Sequence, residues 1–190
     1  MVEKKRSPKA EATRHRLIDA AAKEIAAVGY FNTDTNKIAA GAGYAPATFY
    51  KYFKNKLEIF LTAYDAWVTA EWQALTIEPG NPEALVRVVL AHHKKSVQFR
   101  TDLRALAATE PAVRRYQNKL RREQVKRLGE LDPAFIPKSE DWSAQVFLFL
   151  TMERVSDAIA DGSAKASNAT ETGLIHHLVD LIERLKANSG

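Results

Sequence analysis

An all-α fold follows from two features of the chain. No stretch sustains the period-two alternation of a half-buried strand, whereas apolar residues recur at helical spacing in nearly every window. Pro8, Pro46, Pro82 and Pro111 stand where first turns would begin, and Gly29, Gly43 and Gly162 where helices would stop. With 46% apolar and 27% charged residues over 190 positions, the composition is that of an ordinary globular protein, outside the disordered and membrane classes. The expectation is about nine helices, the first three forming a small N-terminal domain over residues 1–54 and the rest a larger helical body over 55–190.

Met1 to Arg6 is a polar, basic arm. Ser7 caps a first helix with Pro8 in its first turn, Leu17, Ala21, Ile25 and Val28 form its buried stripe, and Gly29 ends it. A short helix runs from about Asn36 to Ala42, with Thr33, Asp34 and Thr35 as competing caps, and a second from Ala45 to about Tyr52. Asn55 and Glu58 make a capping-box-like pair opening a long fourth helix, with Leu57, Phe60, Leu61, Tyr64, Val68 and Leu75 on one face. Asn81-Pro82 opens a fifth helix reaching about Arg100, Thr101-Asp102 a sixth, and Glu110-Pro111 a seventh ending near Gly129. An eighth covers Ser139 to Asp161 and is apolar almost all round from Val146 to Leu150, which implies burial on several sides. Asn168 and Glu171 cap the last helix, striped by Leu174, Leu178, Leu181 and Leu185 and flanked by Ile175 and Ile182.

Charge is distributed unevenly. The net charge is +5, and residues 1–58 carry eleven Lys and Arg against six Asp and Glu, leaving seventeen of each in the remainder. The whole excess lies in the first third, where a positive field raises affinity for polyanions such as DNA. Two short helices joined by a Gly-containing turn in that same region are a helix-turn-helix arrangement. Ile38, Ala39, Ala42, Phe49 and Phe53 read as the small core that fixes the angle between them, with Gly43 freeing the turn. Tyr50, Lys51, Tyr52, Lys54 and Lys56 place hydroxyls and ammonium groups beside the second helix, in reach of phosphates.

In order and spacing, Ile38-Ala39, Ala42-Gly43, Thr48-Phe49-Tyr50 and Tyr52-Phe53 with Lys56 resemble the DNA-binding signature of TetR-family repressors, over residues 33–57. The resemblance implies a homodimer that binds a double-stranded DNA operator through two readers and senses a small, mostly apolar ligand in the helical body. Two departures stand out: Ala45 occupies the position where the family commonly opens the reading helix with Ser, and Thr35 one where an apolar residue is common. The exposed front, Ala45-Pro46-Ala47, offers bases only apolar contact, with Tyr44, Thr48, Lys37 and the arm residues Lys4, Lys5, Arg6 and Lys9 as further candidates.

In the body, Trp67, Trp72, Phe99, Tyr116, Phe147 and Met152 could line a ligand cavity, though a closed core would use the same residues. Leu174, Leu178, Leu181 and Leu185 are the expected dimer interface. On the seventh helix Arg115, Lys119, Arg122 and Lys126 form a stripe read as solvated. His92-His93 and His176-His177 point about 100° apart as helical neighbours, which disfavours a shared metal ion. Neither phosphate loop, dinucleotide fingerprint nor nucleophile elbow occurs, so no catalytic residue, metal or cofactor is expected. The longest apolar run falls far short of the roughly 20 residues of a membrane helix, so no membrane partner is expected and the reading is cytoplasmic. Two rival readings stay open: an all-α metabolite-binding protein or enzyme with incidental basicity, and a helix-turn-helix architectural protein without a ligand.

Overall fold

The computed structural model describes residues 7–74, 80–133 and 141–189. The described residues form ten α-helices and one 3-10 turn, in two compact units, Met1–Ala70 and Glu71–Gly190. Helix α4, Lys56–Ala74, contributes residues to both. The expected arm residues Lys4, Lys5 and Arg6 lie outside the described residues, as does Leu75.

In the first unit, α1 (Pro8–Val28) opens where the Ser7 hydroxyl accepts the Ala10 amide at 3.3 Å, and ends at Gly29, whose φ of 83° suits a residue without Cβ. It buries Leu17, Ile18, Ala20, Ala21 and Ile25. Val28, expected in that stripe, is exposed in the final turn. After the 3-10 turn Tyr30–Asn32, α2 (Thr35–Gly41) packs on α1, and α3 (Pro46–Phe49) packs on α2. Ile38, Ala39, Phe49 and Phe53 are buried, together with Ile59, Phe60, Ala63, Tyr64 and Val68 of α4. Leu57 and Leu61, expected on the core face of α4, are half-buried, while Ile59 and Ala63 take the fully buried positions. Removing one side chain such as the fully buried Phe49 costs about 3–5 kcal/mol, a large part of a domain's net stability.

The second unit contains α5 (Pro82–Lys95), α6 (Val97–Thr109), α7 (Pro111–Leu131), α8 (Ser143–Ala160), the four-residue α9 (Ser163–Ala166) and α10 (Glu171–Ser189). The Asn81 side chain accepts the Ala84 amide at 3.0 Å, as its position before Pro82 predicts. Helix α5 stops five residues short of the expected Arg100, because Ser96 leaves helical geometry at φ −140° and restarts the phase for α6. At α10 the cap is Thr170, whose hydroxyl accepts the Gly173 amide at 3.1 Å; Asn168, at φ 60°, belongs to the turn that closes α9. Helix α9, absent from the sequence expectation, raises the number of described helices to ten. The predicted start of α8 at Ser139 lies outside the described residues; its first turn is held by Asp141, which accepts the Ser143 amide at 2.9 Å.

Helices α5, α8 and α10 pack on one another around Leu85, Val86, Leu90, Leu148, Met152, Ile175, Leu178 and Ile182. Across this unit also runs a buried charge network that the apolar pattern gave no sign of. Arg100 of α6 donates to Glu153 at 2.7 Å and to Asp157, both on α8. Arg104 also donates to Asp157, Arg121 of α7 lies 3.0 Å from Glu153, and His93 Nδ1 is 3.1 Å from Asp157. Burial alone would push the Asp157 carboxyl up; the hydrogen bond from His93 and the Arg100 guanidinium overcome that and hold it down at about 2.

Because this carboxyl titrates lower in the folded chain than the usual value near 3.9, its stabilisation is present above about pH 4 and is lost as pH falls from there towards 2. The loss is on the order of 2 kcal/mol. Urea midpoints at pH 6 and pH 3 should differ accordingly in the wild type. In Asp157→Asn the pH 6 midpoint should fall, since Arg100 and Arg104 lose their charged partner, and the gap between the two pH values should narrow.

Candidate nucleic-acid interface

The two short helices are locked from both ends. Of the three competing caps, Asp34 is the one used: its carboxylate accepts the Asn36 and Lys37 amides at 2.8 and 2.9 Å. The hydrogen bond donated by the Lys37 amide is the main cause that draws the Asp34 carboxyl below its usual range. Thr33 instead donates to Glu24 at 3.1 Å, and Thr35 pairs with the Tyr50 hydroxyl at 3.0 Å. Thr35, the departure from an apolar position, thus gains a specific partner on the far side of the turn. Helix α2 ends in a Schellman arrangement, Gly43 N to Ala40 O and Tyr44 N to Ala39 O, both 2.9 Å. Gly43 sits at φ 77° with open space where a Cβ would be, so its requirement is conformational alone.

Helix α3 begins without a side-chain cap at Ala45, as the sequence indicates. Ala45, Pro46 and Ala47 are exposed side by side, Thr48 is half-buried, and Tyr50, Lys51 and Lys54 are exposed with Tyr52 half-buried behind them. Among the described residues the Lys51 and Lys54 ammonium groups have no hydrogen-bond or ion-pair partner. Lys37 is exposed and lightly tethered, Nζ to the Asn32 carbonyl at 3.2 Å. Tyr44 is half-buried and donates to the Thr13 hydroxyl of α1 at 3.4 Å. That bond, with Arg16 and Lys9 nearby, lowers its phenol pKa. Exposed Lys9 thereby belongs to the same surface as the turn, through a link to Thr13 and Arg16 that the sequence reading missed and that the Lys9, Thr13, Arg16 spacing on one helical face could have signalled.

Lys56 differs from the other lysines. Its ammonium donates to the carbonyls of Tyr30 and Thr33 at 2.8 and 2.9 Å and lies 4.2 Å from the centre of the Tyr30 ring. It is a strut between the start of α4 and the chain linking α1 to α2, rather than a cation held out for a phosphate. The capping pair beside it is also rearranged: Asn55 accepts the Glu58 amide at 2.9 Å, while the Glu58 carboxylate reaches back to the Lys54 amide at 2.6 Å instead of that of Asn55.

This geometry has counterparts. Residues 17–63 match the family model of bacterial regulatory proteins, tetR family. The helix pair therefore lies in a segment that is similar to this family. A 49-residue stretch is 45% identical to the fatty acid metabolism regulator protein of Bacillus subtilis strain 168, a match over 26% of this chain and a quarter of that protein's length. Over more than nine-tenths of its length the chain has the fold of solved transcriptional-regulator structures. A transcriptional regulator from Rhodococcus sp. Rha1 superposes with TM-score 0.69 at 19% identity, over 92% of this chain and 96% of that one. The fatty acid degradation regulator FadR from Bacillus halodurans gives 0.62 at 24%, over 96% and 97%.

In the second unit, the residues singled out for a cavity scatter. A cavity of about 40 Å³ is lined by Trp72, Leu85, Val89, Leu128, Phe149 and Met152, so Trp72 and Met152 take the expected place. Its polar wall is Glu71, His93, Arg100, Gln124 and Glu153, none of which the sequence reading assigned to a site. Phe99 is buried and Tyr116 half-buried away from that lining, Trp67 falls in the first unit beside Tyr64, and Phe147 is 58% exposed. Of the expected dimer stripe, Leu178 is enclosed in its own unit's core, whereas Leu174, Leu181 and Leu185 are half-buried. The α10 apolar face is wide, and the Ile175, Leu178, Ile182 ridge is the part that faces inward. Arg115, Lys119, Arg122 and Lys126 are exposed, matching the solvated reading.

Lys56→Met should lower stability by about 1–3 kcal/mol, since two carbonyls lose a donor, while Lys51→Ala and Lys54→Ala should stay within about 0.5 kcal/mol of wild type. Urea denaturation of the three variants checks this; equal stability of Lys56→Met and wild type would remove the strut.

Proposed function

We propose that this protein is a sequence-specific DNA-binding transcriptional regulator, a homodimeric repressor released from a pseudo-palindromic operator by a small-molecule ligand. The observation that carries the reading is the exposed Ala45-Pro46-Ala47 front beside the unpartnered Lys51 and Lys54, on a helix pair locked by the Asp34 cap, the Schellman turn and the Phe49 core. Residues 1–54 act as the reader and 55–190 as the sensing and dimerising body. Lys37, Lys51, Lys54, Tyr50 and Tyr52 contact phosphates, with Lys9 and the arm residues Lys4, Lys5 and Arg6 extending the track, while Tyr44, Ala45, Pro46, Ala47 and Thr48 meet base edges. Lys56 serves the interface by fixing the turn, with the α4 start beside it. The relatives' names, one a fatty acid metabolism regulator and one a fatty acid degradation regulator, agree with a regulatory role and leave this chain's own ligand open.

The dimer reading rests on α8. Phe147 is 58% exposed and Val146 and Leu150 are each 40% exposed, an apolar strip beside a groove of about 270 Å³ between α7 and α8. A second copy covering this strip together with Leu174, Leu181 and Leu185 of α10 accounts for it, and two readers then meet successive major grooves about 34 to 36 Å apart. The cavity of about 40 Å³ is small against the roughly 300–1,000 Å³ of ordinary ligand sites. That favours, as a second reading, a helix-turn-helix protein that binds DNA without a ligand.

After operator selection from random duplexes, titration across salt concentrations tests DNA binding. Lys51→Ala and Lys54→Ala should each flatten the slope of log K against log salt by about 1 and weaken all sequences alike, whereas Tyr44 and Thr48 variants should change sequence preference. No retention of any duplex at low salt would eliminate the DNA role. By sedimentation equilibrium the wild type should be a dimer at micromolar concentration and Phe147→Glu a folded monomer; Leu178→Glu should instead unfold the unit that encloses it.

A further inference from the structure

We infer that the cavity of the second unit receives a small organic cation of the alkylammonium type, with Glu71 as its counter-charge. This deepens the sensing part of the proposed function and rests on it only for its biological consequence.

The carboxylates of the polar wall differ in how much of their hydrogen-bonding capacity is used. Glu153 is committed on both oxygens, one to Arg100 at 2.7 Å and the other to Arg121 at 3.0 Å. Both Asp157 oxygens are committed to Arg100, Arg104 and His93. Glu71 is different. It is 6% exposed and lines the cavity, and among the described residues its carboxylate has one charged partner, His93 Nε2 at 3.6 Å, beyond hydrogen-bond length. A carboxylate has about four acceptor sites, and burying one without donors is costly. His92 contributes an electrostatic attraction to the same group, but its own charge is disfavoured by burial, which lowers its pKa. Next to Glu71 in the lining, the indole N–H of Trp72 is buried without a hydrogen-bond partner among the described residues, a second polar group that an occupant or water can satisfy.

An anionic head is disfavoured at this wall. To reach Arg100 it would displace Glu153 or Asp157 from their bonds and then sit against the Glu71 carboxylate. A cationic N–H donor needs no such exchange, because it fills the capacity Glu71 leaves open. The volume of about 40 Å³ has room for on the order of three waters, hence for an ammonium head and its first carbons. Met152 at the wall is an adaptable side chain that can yield to a longer tail. Glu71 and Trp72 both belong to α4, the helix that begins at Lys56, so the occupant binds a helix that also serves the reader.

The test uses the full chain and n-butylammonium, n-octylammonium, the matched alcohols and the matched carboxylates, followed by calorimetry and thermal shift at pH 7. The ammonium ions should bind saturably at least tenfold more tightly than alcohol or carboxylate of equal length. Glu71→Gln should weaken ammonium binding tenfold or more and leave alcohol binding unchanged; if that variant does not fold, Glu71→Asp and the wild-type selectivity series decide. Carboxylates binding as tightly as ammonium ions, an unchanged affinity in Glu71→Gln, or no saturable ammonium binding up to octyl would each overturn the inference. Operator titration alongside separates the two readings. Ammonium binding that leaves DNA affinity unchanged sinks the sensing reading and keeps this one; carboxylate binding that alters DNA affinity does the reverse.

Discussion

The Lys56 ammonium, held between the Tyr30 and Thr33 carbonyls and over the Tyr30 ring, ties the start of α4 to a segment more than twenty residues earlier in the sequence. Those carbonyls belong to the chain linking α1 to α2, outside any α-helix, and a charged donor supplies bonds stronger than neutral ones. Fixing Thr33 fixes the residue before the Asp34 cap, and so the start of α2; fixing Tyr30 sets its ring against Phe60 at 5.0 Å, and so the seating of α4 in the first unit's core. With α2 placed, the Schellman turn places α3. The position of the exposed front is therefore determined by a lysine that does not lie on it.

The sequence made much of this legible because local chemistry and periodicity agree in the first unit. Ser7, Pro8, Gly29, Pro46 and Gly43 do what their residue types demand, and Ile38, Ala39, Phe49 and Phe53 are buried as the pattern requires. Where several caps compete, as at Thr33, Asp34 and Thr35, residue type alone cannot choose. The outcome depends on partners from elsewhere, Glu24 for Thr33 and Tyr50 for Thr35. Lys56 was hidden for the same reason: a lysine at a basic surface and a lysine folded back on carbonyls have identical sequence signatures.

In the second unit periodicity indicated helices but not their phase. The break at Ser96 has neither Pro nor Gly, and it decides which helix carries Arg100 to α8. The charge network could not be read from sequence, because ionic residues on amphipathic helices are ordinarily solvated, and burial here requires four helices to bring their charges together. The apolar centre of α8 illustrates the complementary failure. Its all-round hydrophobicity implies burial on several sides, yet only part of it is covered within one chain, leaving Phe147 outward.

The bare front of α3 has a chemical consequence for any duplex it meets. A surface of Ala45, Pro46 and Ala47 side chains offers carbon and no donor or acceptor, so at the bases facing it the one distinguishing feature is the C5-methyl group of the major groove. Thymine and 5-methylcytosine present that group alike, whereas uracil and unmodified cytosine lack it. With α3 in the major groove as proposed, enzymatic methylation of cytosine would add contact surface there without altering the base sequence, and binding would respond to the chemical state of the DNA as well as to its sequence.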